Sequence, residues 1–250
     1  MRPRWESGPA ELTLVRHGES IGNQANTAAL DADAEVLELD DRDADVELSD
    51  NGRDQARALG RWAAALGPEA RPTVVVASPY RRAADTAALT LEGLDLDIDH
   101  DERLRERDLG VLDGLTGTGI RARFPEEADR RKKLGKFYYQ PPSGESWADV
   151  AQRVRAFLHD LRFGHEDERV WLFTHQAVIM AFRYVLEDID ESALLALDRE
   201  VTIPNASVTV FRRSGTHFEL DRFADTSAVD SEEADVTHEA PQRGRGDHVA

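Results

Sequence analysis

Arg16 and His17 stand side by side where an apolar run, Leu12-Thr13-Leu14-Val15, stops at Gly18. Neutral imidazole is a competent nucleophile near neutral pH, and a guanidinium grips phosphate oxygens in a fixed two-pronged fork. The pair suits phosphoryl chemistry. Two further polar groups fall in the same kind of place: Ser78 to Arg82 after Val74-Val75-Val76-Ala77, and His175 after Val170-Trp171-Leu172-Phe173-Thr174. A buried strand that hands over to a helix or loop puts its last residues at the sheet edge where open α/β folds keep their ligand crevice. Convergence at one edge raises His17 above a lone histidine, whose usual role is structural.

The elements needed to hold these groups are written into the hydrophobic pattern. Residues 11–17 read as a first strand. Ser49 caps a helix whose apolar face is Ala56, Leu59, Ala63 and Leu66, ended by Gly67-Pro68. Val74–Ala77 is a second buried strand, Ser78-Pro79 opens a helix to about Leu91, and a third strand is expected near Leu94–Ile98. Ser146, with Asp149 three residues on, starts a helix that turns Val150, Val154, Phe157, Leu158 and Leu161 to one side. The strand 170–174 precedes Ala177–Leu186, apolar nearly all round and so a buried helix. A short helix near Asp190–Leu197 then leads to two antiparallel strands, Ala206–Arg212 and Thr216–Asp221. This alternation predicts a three-layer α/β/α sandwich around a mainly parallel sheet.

Around that frame, residues 1–10 read as a polar lead, 11–222 as one domain, and 223–250 as a disordered acidic-then-basic tail. The segment 21–47 holds an acidic loop, Asp31 to Glu47, read as either a mobile flap or a solvated insertion. Residues 100–145, rich in charge, glycine and proline, are expected to form a lid or substrate segment.

The chain has 250 residues, 31 lysines and arginines against 49 acids, and a net charge of −18. That balance argues against nucleic acid or an anionic membrane as partner. There is no cysteine, hence no disulfide or thiolate site, and lysine occurs only at 132, 133 and 136. Acid excess with scarce lysine suits a salt-rich, halophilic cytoplasm or an acidic mesophilic surface. No apolar run approaches the roughly 20 residues needed to span a bilayer, and Met1–Ala10 has no signal-peptide pattern, so a cytoplasmic location is expected. Nothing calls for a metal or cofactor: the acids show no clustered ligand spacing and the remaining histidines are scattered.

Arg16-His17-Gly18-Glu19-Ser20 with Asn23 resembles the signature of the histidine phosphatase superfamily, which includes the phosphoglycerate mutases. Further matches follow in order: Leu48-Ser49-x-x-Gly52-x-x-Gln55-Ala56, Ser78-Pro79-Tyr80-x-Arg82-Ala83-x-x-Thr86-Ala87, Arg105-Glu106-x-Asp108-Leu109-Gly110 with Asp113-Gly114, and Thr174-His175. Phe137-Tyr138-Tyr139, Gly144-Glu145-Ser146 and Ile203-Pro204-Asn205-Ala206-Ser207 look like a phosphatase-type branch. Two positions depart from the pattern: Asp113 stands where many relatives have glutamate, and Gln176 where glycine or alanine is usual.

The resemblance implies a phosphoglycerate mutase-like fold and a metal-independent phosphomonoester phosphatase acting on a small phosphorylated substrate through a phosphohistidine on His17. It implies Arg16 and Arg82 on the phosphate oxygens, His175 as a third positive contact if protonated, and Asn23 as a neutral donor or a loop cap. Glu106 matches the family's general acid, with Asp108 as the local competitor. Arg130-Arg131-Lys132-Lys133 and Lys136, just before the aromatic run, read as a substrate lid (Lys132, Lys133, Lys136 and Tyr138) or as a solvated helix face. Two other functions compete: a phosphoglycerate mutase-type phosphotransferase, although Gly117-Thr118-Gly119 and its surroundings are not cationic, and a catalytically inactive phosphate-binding module on the same fold.

Overall fold

Fifteen regular elements follow one another in the computed structural model, which describes residues 3–230 and 234–238. In chain order they are β1 (Glu11–Arg16), α1 (Ile21–Asp31), α2 (Asp50–Ala65), β2 (Val74–Ala77), α3 (Arg81–Thr90), β3 (Asp99–His100), α4 (Gly117–Arg123), α5 (Pro125–Leu134), α6 (Trp147–Asp160), β4 (Arg169–Thr174), α7 (Gln176–Glu187), α8 (Glu191–Glu200), β5 (Val208–Ser214), β6 (His217–Asp225) and α9 (Ser227–Asp230). The strands form one sheet in the order β3-β2-β4-β1-β5-β6. The first four in that order are mutually parallel, and β5 and β6 join antiparallel at one edge.

Successive side chains of a strand point to opposite faces, and here both faces are covered. On β4, Val170 and Leu172 pack with α6 and α7 (Val154, Phe157, Val178, Phe182). Trp171 and Phe173 face the other way, onto α2 and α3 through Leu59, Ala63 and Ala87. The expected three-layer architecture therefore rests on a strand whose four central residues, Val170–Phe173, are all apolar. Helix starts are set locally: Ser49 Oγ accepts from Gly52 N at 3.0 Å, and Ser146 with Asp149 forms a reciprocal capping box.

Four expectations need correction. The third strand is Asp99–His100, not Leu94–Ile98; Leu94, Leu96 and Ile98 pack irregularly against the second core instead. Residues 21–31 are a helix, α1, opened by a Ser20–Asn23 capping box, a start signal that the acidic stretch beyond it masks. The polar lead is anchored by Trp5, which is buried, with its ring edge-on to Phe218 at 4.9 Å. The segment expected to be disordered from 223 is packed at first: β6 runs to Asp225, and Ala228 and Val229 of α9 are buried on the second core. Residues 234–238 lie beside the site, where Gln55 Nε2 donates to Asp235 O at 2.7 Å and Asn205 N to Thr237 O at 3.0 Å. The rest of that tail lies outside the described residues.

Candidate active site

Sheet register brings the two strand-end histidines together. Arg16 of β1 lies opposite Thr174 of β4, so the next residues, His17 and His175, leave adjacent strands side by side with ring centroids 5.1 Å apart. β2 flanks β4 on its other side, and its exit residue Ser78 reaches His175: Ser78 Oγ lies 2.9 Å from Nε2. Arg82, in the first turn of α3, completes the group. Arg16, His17, Arg82 and His175 are all buried.

His17 is held at one ring nitrogen. Its Nδ1 lies 2.7 Å from Gly18 O, a backbone acceptor that fixes the proton there and leaves Nε2 with its lone pair. Burial first, then the charges of Arg82 and Arg16, hold this imidazole well below the ordinary histidine value of 6.5. It is neutral at neutral pH, as a nucleophile must be. His175 is lowered in the same way, by burial and then by Arg82, His17 and Arg16. The third contact expected to be positive is therefore a neutral imidazole in the free protein, and its buried Nδ1 has no hydrogen-bond partner.

The His17 turn is braced by close backbone packing. A Cβ on Gly18 would lie 2.5 Å from Gly52 O, and one on Gly52 would lie 1.9 Å from Glu19 O. No side chain fits between them, which gives a physical reason for glycine at both motif positions. Gly18 N donates to Thr86 Oγ1 at 3.0 Å, Glu19 N to Gln55 Oε1 at 2.8 Å, and Asn205 Nδ2 to His17 O at 3.2 Å. Arg16 is oriented by a hydrogen bond from Nη1 to Ile203 O. Asn23 acts as a cap: its Oδ1 accepts from Ser20 N, Ser20 Oγ and Asn205 Nδ2 at the start of α1, and the residue borders the cavity.

Glu106 reaches the site on a separately braced segment. Thr174 Oγ1 donates to Leu104 O at 2.7 Å, tying that segment to the end of β4. Glu145 then acts as a clamp: it takes Arg105 Nη2 at 2.6 Å, Arg153 Nε at 3.0 Å and Asp108 N at 3.1 Å. Burial, the largest influence, pushes the Glu106 carboxyl up and Asp43 adds to it, against the Arg107 backbone hydrogen bond and the charges of Arg82 and Arg16. A raised carboxyl suits an acid catalyst. Asp108, the local competitor, is exposed and uses Oδ1 to hold Gly110 N at 2.7 Å, a turn-forming role.

His17, Asn23, Arg82 and Glu106 border one cavity of about 400 Å³. Its outer walls come from the acidic loop (Val36, Leu37, Leu39, Asp41, Asp43) and from 107–115 (Arg107, Leu109, Asp113). The loop is thus neither a detached insertion nor remote from the chemistry: Asp43 sits on Arg82, with carboxylate contacts of 3.0 and 3.3 Å and its carbonyl at 2.5 Å. Of the two departures from the family pattern, Asp113 borders the cavity and Gln176 does not. None of Lys132, Lys133, Lys136 and Tyr138 borders it. Lys136 pairs with Asp198 at 2.5 Å and the Tyr138 hydroxyl donates to Glu191, so both are bound to α8, while Lys132 and Lys133 are exposed on α5. Among the described residues no group of three or more histidine, aspartate or glutamate side chains is placed to hold a metal ion, and no helix is long and apolar enough to cross a membrane.

The geometry matches known proteins over most of the chain. It is 31% identical over 198 residues (77% of this chain, 86% of the relative) to a 2,3-bisphosphoglycerate-dependent phosphoglycerate mutase of Methylorubrum populi. It is 28% identical over 227 residues (90% and 86%) to a metal-independent phosphoserine phosphatase of Arabidopsis thaliana. Some other relatives are longer, and the chain spans about half their length. A mycobacterial glucosyl-3-phosphoglycerate phosphatase solved with VO3 superposes with a TM-score of 0.69 at 29% identity, covering 87% of this chain and all of that one. The sequence profile of the histidine phosphatase superfamily, branch 1, matches residues 12–226, and the chain belongs to that family.

Proposed function

We propose that this protein is a phosphomonoester phosphatase that works through a phosphohistidine on His17 without help from a metal ion. The observation that carries the reading is the locked imidazole: Nδ1–H on Gly18 O, Nε2 unprotonated, and the charges of buried Arg82 and Arg16 acting on it. The Nε2 lone pair attacks phosphorus in line, and the ester P–O bond breaks as the P–N bond forms. Glu106, protonated, gives its proton to the leaving oxygen. As a carboxylate it then takes a proton from water, whose oxygen attacks phosphorus while the P–N electrons return to Nε2. The sum is ester plus water to alcohol plus phosphate.

Arg16 and Arg82 hold the equatorial oxygens, and such preorganised donors are typically the dominant contribution in phosphoryl transfer. Asn23 Nδ2 adds a neutral donor. For His175, a hydroxyl proton donated by Ser78 to Nε2 would place the ring proton on Nδ1, ready for a phosphate oxygen. A net charge of −18 supports a small phosphorylated substrate over nucleic acid or membrane, and a cytoplasmic, salt-rich setting.

The test is phosphate release from a panel of monoesters in EDTA, wild type against His17→Ala. EDTA-resistant release lost in the variant supports the reading; release that survives the substitution sinks it. The mutase reading is favoured by the 31% identical relative, and interconversion of 2- and 3-phosphoglycerate without net phosphate release would establish it.

A further inference from the structure

The outer half of the cavity carries a charge pattern that the phosphoryl chemistry does not use. Asp41, Asp43 and Asp113 border it, and two cations do so, Arg82 and Arg107. Arg107 is anchored through Nε, which donates to Glu145 O at 2.8 Å, and its guanidinium lies 5.9 Å from the Trp147 ring centre. Arg82, with only 6% of its side chain exposed, is held by Asp43. A phosphate that takes Arg82 must therefore displace the Asp43 carboxylate, leaving an anion in a half-buried place beside two others. Stranding such a charge is costly unless a new cation arrives. A second anionic group on the substrate would face the same three carboxylates, with Arg107 as the one cation beside them.

A separate observation concerns a polar group on the cavity wall. Asn26, one helical turn beyond Asn23 on α1, borders the cavity and is only 4% exposed, yet its amide nitrogen is buried without a hydrogen-bond partner. Buried donors are normally satisfied, and leaving one without a partner is costly. An ester or hydroxyl oxygen of a bound substrate would satisfy this one.

We propose that the Arg82–Asp43 ion pair is the template for the substrate: a monophosphate whose organic part carries an ammonium group and no second anion, such as an amino-alcohol or amino-sugar phosphate. Its phosphate replaces Asp43 on Arg82, and its ammonium replaces Arg82 on Asp43, with Asp41 and Asp113 alongside and Asn26 on an oxygen. One ion pair is exchanged for two. The inference rests on the phosphatase reading, and it makes Asp43 the residue that sets specificity.

The experiment compares near-isosteric pairs, glucosamine 6-phosphate with glucose 6-phosphate and phosphoethanolamine with 2-hydroxyethyl phosphate, together with 3-phosphoglycerate. Each is measured for kcat/KM with wild type, Asp43→Asn and Asp113→Asn. Calorimetric binding to His17→Ala gives a readout independent of turnover. Wild type should prefer the ammonium member of each pair by about tenfold, the scale of a hydrogen bond to a charged group, and 3-phosphoglycerate should be poorest. Asp43→Asn should bring the ratio near one by losing the preference for the ammonium substrate; its effect through Glu106, whose carboxyl Asp43 helps to hold up, falls on both members of a pair and cancels in the ratio. Asp113→Asn should lower the ratio less. A ratio near one in wild type, or one unmoved by Asp43→Asn, overturns the assignment. Should no ester be turned over, the phosphatase reading falls by itself; binding ratios then decide this one, preferential ammonium binding sustaining it and equal binding overturning it.

Discussion

At the inner end of the cavity His17 leaves β1 beside His175 of the adjacent parallel strand, and its neighbours are fixed by sheet register, a backbone carbonyl and glycines with no room for a side chain. At the outer end, Leu37, Leu39, Asp41 and Asp43 come from a loop with little regular structure, joined by 107–115. The inner end is built to hold atoms still, with neutral imidazoles beside buried arginines; the outer end is a wall of apolar and acidic side chains with Arg107 among them. The division is physical: transition-state charge must meet preorganised dipoles, whereas recognition of an organic group tolerates variation on loops. Residues of the inner end should then govern every substrate alike, and residues of the outer end should act substrate by substrate.

The largest effect separating the two ends is expected at His17, where His17→Ala should cost on the order of 10⁴-fold or more in kcat for every ester, as removal of a nucleophile does. Arg82→Ala should cost roughly 10²–10³-fold, again without regard to the organic group. Glu106→Gln should fall by roughly 10²–10⁴-fold on alkyl phosphates, and far less on p-nitrophenyl phosphate, whose leaving group needs no proton. The same variant tests protonation. His17 must be unprotonated and is held below 6.5, while Glu106 must be protonated and is held above 4.5, so kcat/KM should rise on the acid side with His17 and fall on the alkaline side with Glu106. Glu106→Gln should remove the alkaline limb; an unchanged profile would show that another group supplies the proton.

Glu145→Gln probes a residue that touches neither end directly but clamps the Glu106 segment. It should lower kcat by roughly tenfold to a hundredfold with KM little changed, the scale of a small misplacement of a catalytic group. At the outer end Leu39→Ala should change kcat/KM by less than about tenfold and unequally across esters; a uniform loss there would erase the distinction between the two ends. Gly52→Ala should lower stability by about 1–3 kcal/mol through overpacking against Glu19 O, seen as a drop of several degrees in Tm, and should lower kcat for every ester alike because the His17 turn is displaced.

The same division explains what the sequence discloses. Strands β1, β2 and β4 are short runs of buried apolar residues, and the polar groups that follow them stand out, so the nucleophile, both arginines and the second histidine are legible with their spacing. Ser146 and Asp149 announce α6 through their capping chemistry. What is not legible depends on contacts between distant segments. The acceptor for His17 is a backbone carbonyl with no residue-type signature. The role of Glu145 emerges only when Arg105, Arg153 and Asp108 close around it. Asp43 reads as one acid among many until it lands on Arg82, and Asn26 as one polar residue in a helix that was itself hidden by the acidic stretch after it. The basic cluster at 130–136 misleads for the opposite reason: charge is visible in sequence, but Lys136 and Tyr138 find their partners on α8, away from the cavity.

The most direct test of the account is to trap the phosphoenzyme. A labelled monoester that the protein hydrolyses is mixed with it in EDTA, quenched within milliseconds into alkali, and the protein is digested and sequenced by mass spectrometry at neutral to basic pH. The account predicts an acid-labile, alkali-stable phosphoryl group on His17, formed and lost at rates compatible with kcat and absent from His17→Ala. Turnover that proceeds with no phosphorylated histidine, or with the label on another residue, would contradict it.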